Sequence, residues 1–135
     1  MTSNSYSSPG DTPEGDAVGA GDETLQTVDD NVRDLADIPA IEVITRSVVM
    51  LMSAAAEKLG LAEGASDDVV DLDEARKLIT ALAGLVDASK ADLGLHAAPV
   101  RDGLQGLQLA FREKSAYPDA PGDGPGEKYT GPVRG

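Results

Sequence analysis

Between Ile41 and Leu59 apolar side chains return every three or four positions: Ile41, Ile44, Val48, Leu51, Met52, Ala55 and Leu59. That spacing sets them on one side of an α-helix. Val49, Met50 and Ala54 fall on other sides, so the run Ser47–Ala56 is apolar most of the way round. A helix of that kind is usually buried on more than one side. The pattern predicts the central helix of a small bundle, with apolar surface left over for a partner.

The local signals around this run agree with it. Asp37-Ile38-Pro39 reads as a helix start, with Asp37 as cap and Pro39 in the first turn, where its missing N–H costs nothing. The helix runs to about Leu59, and Gly60 stands where a left-handed terminating residue is wanted. Leu61 to Val70 is a connecting loop, marked by Gly64 and by Ser66-Asp67-Asp68. Asp71-Leu72-Asp73-Glu74 resembles a capping box with Asp in place of Ser or Thr. A second helix follows, with Leu72, Ala75, Leu78, Ile79, Leu82, Leu85 and Val86 on its apolar face and Asp73, Arg76, Lys77 and Thr80 on the other. It ends between Ser89 and Leu93, with Gly94 as its stop. Ala98-Pro99 opens a third helix that carries Val100, Leu104, Leu107 and Phe111 in register and ends by about Lys114. Gly103 and Gly106 each weaken it by roughly 1 kcal/mol relative to Ala. This marks a helix that needs the other two, or one whose glycines permit close approach.

Both termini lack such periodicity. Residues 1–37 hold nine Asp or Glu and one Arg, and their first 23 positions have almost nothing to bury. A segment like that stays disordered. Leu25, Val28, Val32 and Leu35 give Thr24–Ala36 only a thin helical face. Residues 115–135 contain four Pro and five Gly, which argues for a second disordered tail. That tail nevertheless carries Tyr117, Tyr129 and Val133, whereas residues 38–114 contain one aromatic, Phe111, so the alternative to a flexible tail with incidental tyrosines is an extended segment that pins onto a partner or onto the bundle. The expected organisation is an all-α domain over 38–114, two long helices and a shorter third, between disordered ends.

Charge and composition narrow the function. The formal net charge is −13. A negative field repels phosphate backbones and anionic bilayers, so neither nucleic acid nor membrane is the expected partner. Ser47–Ala56 is too short to cross a bilayer, which takes about 20 residues. No basic and apolar signal segment precedes it, and the chain has no cysteine, which fits a reducing cytoplasm and excludes thiol catalysis and thiolate metal sites.

Candidate chemistry is sparse. His96, the one histidine, lies in the turn between the second and third helices without an obvious partner. Glu42 has Arg46 four residues on, the spacing of a surface ion pair rather than of a general acid. Asp67, Asp68, Asp71 and Asp73 lack the glycine and terminal glutamate of a calcium loop. Gly122, Gly124 and Gly126 are interrupted by Pro121 and Pro125 and make no phosphate loop. No catalytic, cofactor or metal residue is assigned, and the chain reads as non-enzymatic. An enzyme would need His96 or Glu42 in a cleft shared between copies.

Two blocks carry a family resemblance. One is Asp37-Ile38-Pro39-Ala40-Ile41-Glu42-Val43-Ile44 leading to Leu51-Met52-Ser53-Ala54-Ala55-Ala56-Glu57-Lys58-Leu59-Gly60-Leu61, and the other is Asp71-Leu72-Asp73-Glu74-Ala75-Arg76-Lys77-Leu78-Ile79-Thr80-Ala81-Leu82-Ala83-Gly84-Leu85. Over roughly residues 38–112 they resemble family 1844 of bacterial domains of unknown function, with a tail of the actinobacterial type. Ser89 to Gly94 departs from the turn found in many members. The resemblance implies a small cytoplasmic helical protein without assigned activity, whose genes often neighbour those for translation initiation and ribosomal proteins.

The sequence therefore points to a helical protein–protein interaction module that forms a homodimer, since residues 38–114 supply a thin core for one copy. The contact surface is expected at Val48, Val49, Met50 and Met52, with Glu127, Lys128 and Tyr129 as a second contact. The alternative is a translation accessory factor bound to a basic protein.

Overall fold

The computed structural model describes residues 36–133. The acidic segment and the short helix expected before Ala36 lie outside those residues. Helix α1 spans Ala40–Lys58, α2 spans Leu72–Leu93, α3 spans Ala97–Lys114, and a single-turn α4 spans Glu127–Thr130. Two 3₁₀ turns, Asp67–Val69 and Gly94–His96, lie in the connections. The described residues form no strand, and the fold is all-α.

Helix ends follow the local chemistry read from the sequence. Gly60 closes α1 at φ 71°. Its N–H donates to Glu57 O at 3.1 Å and that of Leu61 to Ala56 O at 3.0 Å, the paired bonds of a Schellman cap. The Asp71 carboxylate accepts from the Glu74 N–H at 3.1 Å and so caps α2. Its own N–H donates to Lys58 O at 2.8 Å, so the last carbonyl of α1 is tied to the first turn of α2. Around that acidic N-terminus the Lys77 ammonium is held above its ordinary pKa, first by its hydrogen bond to Glu74 and then by the Glu74 charge. Helix α2 runs to Leu93 and stops at Gly94, φ 56°. Helix α1 begins at Ala40, so Pro39 precedes the helix instead of lying in its first turn.

The central element is α2, not α1. Helix α2 packs against α1, α3 and α4, and Ala75, Ile79, Leu82, Ala83, Val86, Ser89 and Leu93 are all buried along it. Small residues make this possible. Ala83 lies against the backbone of Gly126 and Gly84 under the Tyr129 ring, and the hydroxyl of buried Ser89 is satisfied by donating to Leu85 O at 2.6 Å. The expectation that α1 is buried on several sides is thus corrected: it gives one face, Val48, Ala55 and Leu59 with Ile41, Ile44, Leu51 and Met52 beside them, to the core. A Cβ at Gly103 of α3 would meet only the Met52 methyl group, the free end of a flexible side chain that can turn aside, so the α1–α3 contact here does not require a glycine. Gly106 faces open space.

The expectation of a disordered C-terminal tail is also corrected for residues 116–133. Pro125, Gly126 and Glu127 are buried, and α4 packs on α2. Composition failed here because the segment's backbone groups are satisfied by one carboxylate and by its own turns, described below.

Ile79 is fully buried at the centre of α2. Ile79→Ala is expected to lower the unfolding free energy by about 2–5 kcal/mol. A urea titration followed at 222 nm measures it, and a loss under 1 kcal/mol would show that α2 is not the packed centre.

Candidate interaction surface and C-terminal strap

Helical geometry divides the expected α1 contact residues. Val48 is fully buried and belongs to the core, and Met52 is half-buried against Gly103, so neither offers a free contact surface. Val49 and Met50 point outward, 56% and 72% exposed. They share the outer side of α1 with exposed Glu42, Arg46, Ser53 and Glu57. Arg46 and Glu42 make the expected i, i+4 ion pair at 3.7 Å. With both side chains more than half exposed it contributes at most about 1 kcal/mol. Val49 and Met50 are therefore an apolar centre within a polar rim, the layout of a small protein contact.

The second expected contact divides as well. Residues 116–133 form a strap between α2 and α3, and Glu127 holds the strap together instead of facing a partner. Its side chain is buried, and Oε1 accepts from the Gly122 N–H at 2.9 Å and the Val133 N–H at 3.4 Å. The carboxylate also lies so close to Gly124 that a side chain there would collide with it. Lys128 is exposed, its ammonium 5.1 Å from the Tyr129 ring centroid, while Tyr129 is 41% exposed with its ring on Gly84 of α2.

Three contacts dock the strap. Gln108 of α3 is 2% exposed, and its Nε2 donates to Pro125 O and Thr130 Oγ1, each at 3.1 Å. Gly126, at φ 76°, brings its backbone against α2: a Cβ there would stand 2.6 Å from Ala83 Cβ and 3.3 Å from Ile79 O. Arg76 pairs with Asp119 at 2.9 Å while its guanidinium lies 4.9 Å over the Phe111 ring, and Arg112 donates to Asp119 O at 3.4 Å. The sequence reading missed Gln108, Gly84 and Arg76. The available signal was a polar residue at a core position, since Gln108 lies one turn after Leu104 on the face that carries Phe111.

Two open clefts flank the strap. One of about 260 Å³ lies between α3 and residues 130–133, and one of about 220 Å³ lies against α2; Arg101, Leu104 and Thr130 line both. His96 is exposed in the turn before α3 and makes no side-chain cap bond. Among the described residues no three His, Cys, Asp or Glu are placed to hold a metal ion, and no helix is long and apolar enough to cross a membrane.

Residues 40–113 match the family model for a domain of unknown function, DUF1844. No curated protein and no solved structure gives a significant match to the chain.

Gln108→Ala removes both donors that hold the strap. It is expected to cost about 1–3 kcal/mol of stability by leaving the buried Pro125 carbonyl unpaired. Amide hydrogen exchange at Gly122 and at Tyr129 to Gly131 should accelerate while the centre of α2 keeps its protection. Unchanged exchange in the strap would refute this anchoring.

Proposed function

We propose, for a chain that belongs to the DUF1844 family of domains of unknown function, that it acts as a non-enzymatic interaction module which pairs with a second copy through the outer face of α1. The observation behind this reading is the exposure of Val49 and Met50 beside a core that α1 otherwise fills. Burying such side chains contributes about 1.5–3 kcal/mol apiece when burial is complete. A two-fold axis repeats that contribution, because the same patch is used on both copies. The absence of cysteine suits a cytoplasmic setting. The charge of −13 favours a basic protein, not a nucleic acid, as any further partner.

The wild-type chain, 13.9 kDa per copy, should give twice that mass by light scattering behind a sizing column at micromolar concentration. Met50→Asp and Val49→Asp should give the single-chain mass with unchanged ellipticity at 222 nm, because both positions are exposed in the protomer. A single-chain mass for the wild type would overturn the reading.

A further inference from the structure

The strap has the character of a bound ligand more than of a core element. Its polar groups are largely satisfied from within. Besides the two bonds to Glu127, the N–H of Asp123 donates to Ala120 O at 2.9 Å, that of Glu127 to Gly124 O at 3.1 Å, that of Tyr129 to Gly126 O at 3.0 Å and that of Gly131 to Glu127 O at 2.8 Å. It therefore holds its own turn and meets the helices at only a few places. The connector, Ala116 to Pro118, is exposed, with Tyr117 at 93%. Open clefts remain on either side of it. The receiving groove, in contrast, is specific. It requires a residue without a side chain against Ala83 and Ile79 O, two acceptors for the Gln108 amide, and an aromatic ring for the shallow seat above Gly84.

We propose that the α2–α3 groove is a peptide-recognition site that the chain fills with its own residues 119–133, and that the same segment from a second copy binds there when the resident one is displaced. The ligand is a Gly-Pro-Gly-Glu-Lys-Tyr-Thr-Gly turn with its glycine in the left-handed region. In the intact chain the short connector holds the resident segment at an effective concentration in the millimolar range, so exchange is suppressed until the connector is cut or extended. This site is separate from the Val49–Met50 face and stands or falls independently of pairing through α1.

The test uses the full chain with a site-specific protease sequence inserted after Tyr117. After cleavage the released segment should co-elute with the helices. A fluorescent peptide of residues 118–133 should then exchange into the groove with a rise in anisotropy. The same peptide carrying Gly126→Val should fail to bind at a hundredfold higher concentration, and Gln108→Ala in the helical part should weaken the wild-type peptide at least about tenfold. Separation of the cut segment with ellipticity retained would overturn the proposal, as would equal behaviour of the wild-type and Gly126→Val peptides. Loss of ellipticity on cleavage would also overturn it, because the strap would then be part of the folding unit and not a ligand.

Discussion

The structure depends on α2 having neighbours on several sides, and on the small residues that allow it. A helix with Leu or Phe all round would hold its neighbours about 10 Å away and leave no room for an extended backbone. Here Ala83 and Gly84 sit under the strap, while Ile79, Leu82 and Val86 fill the space between helices. Helix α1 and the strap do not need each other directly, because each is organised by α2. With one phenylalanine and no tryptophan in the chain, close approach replaces large side chains as the source of packing.

The same economy governs the polar groups. The strap contains four prolines and four glycines among residues 116–133, a composition that lacks both apolar content and regular hydrogen bonding. It is ordered because Glu127 accepts from two N–H groups and Gln108 donates to two oxygens, so the backbone around Gly122, Pro125 and Val133 is accounted for. Arg76 joins the strap to the helices at the other end through Asp119 and rests on Phe111. Buried polar side chains thus do here what an apolar face does for α1.

Much of this fold was legible in the sequence, for identifiable reasons. Three- and four-residue spacing located the buried face of α1 residue by residue, and Gly60, Asp71 and Gly94 marked helix ends because their chemistry is local. Rank within the bundle was not legible. Ser47–Ala56 is the more apolar run, yet burial on several sides requires small residues as well as greasy ones, and hydropathy does not report them. The interaction surface was half legible. Val49 and Met50 were separable from Val48 only by the angle each residue takes around the helix, and Glu127 looked like a surface charge because its partners are backbone N–H groups that no pattern displays. Gln108 could have been found as a polar residue at a core register, but its purpose depends on Pro125 and Thr130, which follow it by 17 and 22 positions.

Native-state hydrogen exchange read at single amides tests the central claim, that α2 is the element on which the others rest. The account expects the slowest amides at Leu82 to Val86, exchanging only through global unfolding, with the amides of α1 and of residues 127–131 opening at lower free energy. Slowest exchange in α1, with α2 opening before it, would contradict the account.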